Sequence, residues 1–254
     1  MAHIKTPQEI EIMREAGRKL ARVMARLTPL VRVGATGLEL DAAAKKFILE
    51  EKAKPSFLNY RPSGAGKAYP ATLCVSLNDT VVHGVPTSRA IKDGDLVKLD
   101  LGLVFKEFHS DMAITVMVGN VPKRARELVL ATKEALARGI KAAKQGNTLG
   151  DIGYAIQSFM EKRGFSIVDA LTGHGIGRDL HEDPWVMNKG TRGRGEPLVR
   201  GMTLALEPMT AIGKPAVRQQ KDDSYATKDG SLSAHFEHTI AITEKGPEIL
   251  TLNL

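Results

Sequence analysis

A chain of 254 residues, 43% hydrophobic and 26% charged, has room for one large core or two small ones and is too apolar to be disordered. Its single cysteine, Cys74, excludes a disulfide scaffold and any cysteine-rich zinc module, and fits a reducing compartment. The formal charge of +7 favours salt-sensitive association with polyanions such as RNA, and no apolar run approaches the roughly 18 residues of a membrane span.

The first residues carry acids and no apolar h-region, so a cytoplasmic protein without a signal peptide is expected. Thr6 followed by Pro7 reads as a helix N-cap and first turn. Ile10, Met13, Ala16, Leu20, Met24 and Leu27 then recur at helical spacing and predict a helix over 7–27. A second helix, over 37–52, opens at Thr36 with Glu39 three residues on, the spacing of a capping box. Runs rich in Val, Ile, Leu and Thr predict strands over 72–77, 79–83, 95–105 and 111–118. A second helix pair follows over 123–143 and 148–163, the latter opened by Thr148 and Asp151. Strands over 166–169, 202–207 and 236–243 complete the chain.

The two halves repeat one another. A shift of 112 residues lays Gly34, Thr36, Ala43 and Phe47 on Gly146, Thr148, Ala155 and Phe159. The segments 94–100 (GDLVKLD) and 201–207 (GMTLALE) likewise run from glycine to carboxylate, at an offset of 107. The expectation is one α/β domain, 1–254, made of two pseudo-symmetric halves (about 1–120 and 121–254), with Asp100 and Glu207 at equivalent strand positions. Arg192, Arg194, Arg200, Lys214, Arg218 and Lys221 crowd one later stretch. With few aromatics between them they read as a solvated basic surface or a weak RNA footprint, not as a single-strand groove.

Residues 95–118 read as two strands around a two-residue turn at Lys106-Glu107. In that register Asp111 opposes Gly102 and, because side chains alternate, shares a face with Asp100. Two carboxylates so placed repel, and a bound cation removes the conflict. His174 stands between Gly173 and Gly175, and His181 follows seven residues on. Glu207 ends one apolar strand and Glu237 begins another, flanked by His235 and His238. Charge is almost never buried in strands unless it is paired or metal-bound. Four carboxylates with one imidazole suit Mn²⁺, Fe²⁺ or Co²⁺, and two such ions would activate a water near neutral pH. Rival chemistries are thin: no G-x-S-x-G elbow occurs, and 63–68 (SGAGKA) lacks the first glycine and the Ser/Thr of a phosphate loop. Cys74 reads as a core or pocket-wall residue.

Taken together, 78–86 (NDTVVHGVP), the Asp100/Asp111 pair, 173–181 (GHGIG and His181), 204–209 (LALEPM) and 231–243 (SLSAHFEHTIAIT) resemble the type 1 methionine aminopeptidases in their short bacterial form. The motifs match in order over nearly the whole chain. The resemblance implies the pseudo-two-fold α/β (α+β) pita-bread fold, an antiparallel sheet core covered by two helix pairs. It implies two divalent ions (Co, Mn or Fe) held by Asp100, Asp111, His174, Glu207 and Glu237, with Asp111 and Glu237 bridging and Glu207 also moving a proton. It places His83 and His181 beside the substrate as donors, with Tyr69 and Cys74 lining a slot for the methionine side chain. The implied substrates are the N-termini of nascent polypeptides with small second residues, met by a monomer with weak ribosomal RNA association and no DNA or membrane partner. Departures from the family surround the side-chain pocket: Leu171, Leu180 and Gly66 replace aromatics, and Asp222-Asp223-Ser224-Tyr225 lacks a tryptophan. A proline-specific peptidase of the same fold and a non-catalytic RNA-associated relative are the competing expectations.

Overall fold

The computed structural model describes residues 2–61 and 67–252. Four helices, α1 (Pro7–Leu27), α2 (Gly37–Glu50), α3 (Lys123–Ala142) and α4 (Leu149–Glu161), form within two residues of the expected boundaries. The starts of α1, α2 and α4 are fixed by side chains, whereas α3 opens after Pro122 without a side-chain cap. The Thr36 hydroxyl accepts from Glu39 N–H at 3.2 Å while the Glu39 carboxylate accepts from Thr36 N–H at 2.8 Å, and Thr6 with Glu9 repeats the arrangement. The apolar stripe of α1 becomes a buried face, with Met13, Leu20, Val23 and Leu27 wholly covered.

Among the described residues there are fifteen strands: β1 (Lys54–Pro55), β2 (Leu73–Leu77), β3 (Thr80–Val82), β4 (Leu96–Phe105), β5 (Phe108–Met117), β6 (Ser166–Ile167), β7 (Gly173–Gly175), β8 (Glu182–Val186), β9 (Thr203–Leu206), β10 (Met209–Ala211), β11 (Val217–Gln219), β12 (Tyr225–Thr227), β13 (Ser233–His235), β14 (Glu237–Thr243) and β15 (Gly246–Ile249). Nine make one sheet in the order β1-β4-β5-β14-β9-β7-β8, with β2 alongside β4 and β15 alongside β14. All its pairings are antiparallel. Helices α1 and α2 cover one part around Leu20, Leu40, Ile48, Leu99 and Leu101. Helices α3 and α4 cover the other around Leu128, Ile152, Ile156, Leu204 and Ile240, and Ile114 touches both clusters.

The β4–β5 hairpin has the expected two-residue turn: Lys106 and Glu107 take φ of 47° and 68°, the primed turn that suits the strands' twist. Matching corners precede the matching elements, Gly34 and Gly146 at φ 87° and 90°, Gly94 and Gly201 at 88° and 91°. Those left-handed corners favour glycine. The strands β1, β7, β8, β10–β13 and β15 were not anticipated. Most have three or fewer residues or carry Gly and Pro, too short for alternation to register. The strand expected over 166–169 is only β6, and 79–83 shortens to β3 because His83 leaves the ladder at φ 58°. Among the described residues no helix is long and apolar enough to cross a membrane.

Removing one cap tests this account of the helix starts. Thr36→Ala leaves the Glu39 N–H without its acceptor and should lower stability by about 1 kcal/mol, a fall in Tm of about 2–4 °C for a chain of this size. An unchanged thermal melt would show that the cap contributes nothing.

Candidate metal centre

Strand register brings the acids together. Across β4–β5, Asp111 faces Gly102 and Asp100 faces Ala113, and Ala113 in turn faces Glu237 across β5–β14. Alternation then puts Asp100, Asp111 and Glu237 on one face of the sheet, as the hairpin register had led us to expect for the first two. On the far side of β14, His238 pairs with Leu206, so Glu207, just past the end of β9, comes level with Glu237. Strand β7 adds His174, which pairs with Ala205 and therefore shares a face with Glu207. The neighbours of His174 fit a narrow gap. A Cβ on Gly173 would lie 2.3 Å from the Ala205 carbonyl oxygen, and one on Gly175 2.1 Å from that of Asp183.

Asp100, Asp111, His174 and Glu237 are buried, and the Glu207 side chain is only 12% exposed. Burial pushes the Asp111 carboxyl up to about 7. Burial first, and then the neighbouring carboxylate charges, hold Asp100, Glu207 and Glu237 well above the ordinary carboxylate range. Asp100 Oδ1, Asp111 Oδ1 and Glu237 Oε1 are buried without a hydrogen-bond partner among the described residues. Native interiors avoid that condition unless something else binds there. Donor atoms of Asp111, His174 and Glu237 lie within 4.8 Å of one another, and so do those of Glu207, His235 and Glu237. Unsatisfied carboxylate oxygens converging with imidazole nitrogens fit a divalent metal ion. Glu237 belongs to both groups. Asp100 belongs to neither and lies on the β4 side, its carboxyl raised partly by the charge of Asp111.

The three expected histidines separate by geometry. His174 Nδ1 donates to the Gly175 carbonyl at 2.8 Å, which leaves Nε2 free, 3.7 Å from Glu207 Oε1. Burial lowers its pKa to about 4, so it is a neutral donor at physiological pH. His181 packs edge-on against His174 with ring centroids 4.4 Å apart, and its Nδ1 is 2.7 Å from the Tyr60 hydroxyl. His83 lies edge-on to Tyr225 at 6.0 Å. Neither His83 nor His181 joins a ligand cluster.

These groups line a cavity of about 650 Å³ together with Tyr60, Tyr69, Cys74 and Tyr225. The Tyr69 hydroxyl donates to the Gly84 carbonyl at 2.9 Å, tying the wall to the turn that carries His83. Burial pushes the Cys74 thiol well up, which fits a wall residue and not a nucleophile. Of the pocket departures, Leu180 lines the cavity, whereas Leu171 packs beside Val168 and Met209 and is not part of its lining. Gly66, with 62–65, lies outside the described residues. Tyr225 stands against His83 where the family pattern led us to look for a tryptophan. The basic stretch is not one patch: Arg200 pairs with Glu244, Arg192 lies over the Tyr154 ring, and Lys221 lines the cavity.

Sequence reasoning missed Tyr60, which nothing in its surroundings marks, and the part played by His235. His235 was noted only as a neighbour of Glu237. His238, on the other flank, bonds Thr251 Oγ1 at 2.8 Å.

Residues 11–244 match the profile of Metallopeptidase family M24. The chain is 45% identical over 253 residues to a methionine aminopeptidase of Clostridium perfringens, covering 99% of each. The crystal structure of a methionine aminopeptidase from Thermotoga maritima superposes with a TM-score of 0.94 at 42% identity, covering 99% of both chains. A prolidase from Pyrococcus furiosus gives 0.77 at 24% identity, with 65% of that chain covered, a likeness of fold alone. The sheet and its helix pairs are thus the pita-bread fold these structures share, and the enzyme is a metallopeptidase hydrolase. The register that gathers four acids and His174 on one sheet face is the register of a family, and this chain belongs to that family, the M24 metallopeptidases, among its methionine aminopeptidases.

Proposed function

We propose that this protein removes the N-terminal methionine from nascent polypeptides by hydrolysing the first peptide bond, favouring chains with a small second residue. The observation that carries this reading is the convergence of buried, unsatisfied carboxylate oxygens on the wall of a confined cavity. Asp100, Asp111, His174, Glu207 and Glu237 would hold two divalent ions (Co, Mn or Fe), with Asp111 and Glu237 shared between them. Such ions, when bound, polarise the scissile carbonyl and activate a water.

The chain's own residues do the rest. Glu207, whose carboxyl burial and the charges of Asp100 and Asp111 hold above its ordinary range, accepts a proton and passes it to the leaving amine. His181, held through Nδ1 by Tyr60, offers Nε2 to the carbonyl oxygen as charge develops there, and His83, on the lining of the same cavity, is the second donor. The substrate's α-amino group sits beside Asp100, so cleavage stops at the first bond. Tyr69 and the un-ionised Cys74 line the methionine slot.

The same reading gives a cytoplasmic monomer whose two halves, about 1–120 and 121–254, meet at the centre. Its positive charge serves weak ribosomal RNA contact that salt should weaken. The proline-specific reading has no comparable support, and a non-catalytic relative would have no use for all five donors.

Two measurements test the proposal. Met-Ala peptides should be turned over with Mn²⁺ or Co²⁺ and not after chelation, and Asp111→Ala should lose tightly bound metal and nearly all turnover together. Substantial turnover by metal-loaded Asp111→Ala would overturn the shared-ligand assignment. The histidines should divide: His83→Ala and His181→Ala should keep their metal and lose about 10²–10³-fold in kcat/KM, whereas His174→Ala should lose metal affinity. Metal loss in His83→Ala or His181→Ala, by elemental analysis, would reverse that division.

A further inference from the structure

His235 is 1% exposed, and neither of its ring nitrogens has a hydrogen-bond partner among the described residues. A buried imidazole left bare on both sides is rare, because desolvating its polar atoms without replacement is costly. The ring is not loosely placed. The Thr115 hydroxyl accepts from the His235 N–H at 3.0 Å and donates to its carbonyl at 2.7 Å, clamping this backbone to β5. Nε2 comes 3.3 Å from Glu207 Oε2, while the other oxygen of the same carboxylate faces His174 Nε2. Donor atoms about 2.1 Å from one ion, at tetrahedral to octahedral angles, stand roughly 3.0–3.4 Å apart. The His235–Glu207 separation falls in that range, and Glu237 completes the group within 4.8 Å.

We propose that His235 is a further metal ligand, a second imidazole that binds with Glu207 and Glu237 on the other oxygen of Glu207 from His174. The inference rests on reading the buried acids as a metal centre. A second ring nitrogen in an otherwise oxygen-rich set shifts it toward ions that favour imidazole, such as Co²⁺, Fe²⁺ or Zn²⁺, and away from Mn²⁺.

The test compares chelator-stripped wild type, His235→Ala, His235→Gln and His174→Ala, each checked for folding by thermal melt. Each is titrated with Co²⁺ and with Mn²⁺ by calorimetry, and the Co²⁺ forms are examined by X-ray absorption for imidazole scattering. Glutamine fills the space and can hydrogen-bond Glu207 but is a poor ligand, so His235→Gln keeps the test sound where His235→Ala fails to fold. Wild type should show two imidazoles, and each histidine variant one. Co²⁺ affinity in His235→Gln should fall at least about tenfold, the lower end for losing even an outer-shell partner, with a smaller loss for Mn²⁺. Wild-type Co²⁺ affinity and unchanged ring scattering in His235→Gln would overturn the proposal and leave the five-donor centre intact. Failure of wild type to bind either ion would overturn both.

Discussion

Mutual repulsion among buried carboxylates governs this molecule. Two like charges near 4 Å apart oppose one another by about 4 kcal/mol where the effective dielectric is about 20. Asp111 and Glu207 each bring a donor oxygen within 4.8 Å of Glu237, and those two pairs alone are comparable to the net stability of an ordinary domain, about 5–15 kcal/mol. Burial, with that repulsion added to it, makes the site retain protons: burial lifts the Asp111 carboxyl to about 7, and burial and then neighbouring charges hold Asp100, Glu207 and Glu237 well above range. Metal binding has to expel those protons, so the centre's affinity and its protonation are one equilibrium.

The rest of the fold supplies rigidity against that repulsion. The donors ride on paired strands and their ends and not on free loops, and β4, β5, β9 and β14 are backed by buried apolar clusters. A one-residue slip in any pairing would turn its acid to the opposite face. Positions where space, not charge, sets the residue lie close by, as the contacts around Gly173 and Gly175 show. Lys98 extends the same scheme. Its buried ammonium donates to the Asn78 carbonyl at 2.7 Å and to Ser233 Oγ at 3.2 Å, joining β4 to the turn before β3 and to the start of β13.

Much of this was legible in the chain because its signals are local. The helices carry their own caps, Thr36 with Glu39 and Thr148 with Asp151. The two-residue turn at Lys106-Glu107 fixes which residues face each other for ten residues on either side, and so the Asp100/Asp111 face. The glycines beside His174 mark an unusual approach in the sequence itself. What escaped depends on distant chain. Strands of three residues such as β10 and β13 exist only because a partner completes their ladder. Tyr60 reaches His181 across 121 positions, and the bare ring of His235 is visible only once the residues around it are placed.

The strand order has a consequence in time. Between β5 and β9 in the sheet lies β14, drawn from near the end of the chain, and it carries the acid common to both donor clusters. During synthesis the first half can pair β4 with β5 and bury α1 against them long before that strand exists. Asp100 and Asp111 then wait without their third neighbour. A chain made only as far as β9 thus has no complete donor face, and contacts this distant in sequence form late and slowly. Capture of an ion by the full donor set would follow the closing of the sheet, and bound metal would then hold the finished molecule by mass action. The donor face is complete only once the strand at 237–243 has taken its place between β5 and β9.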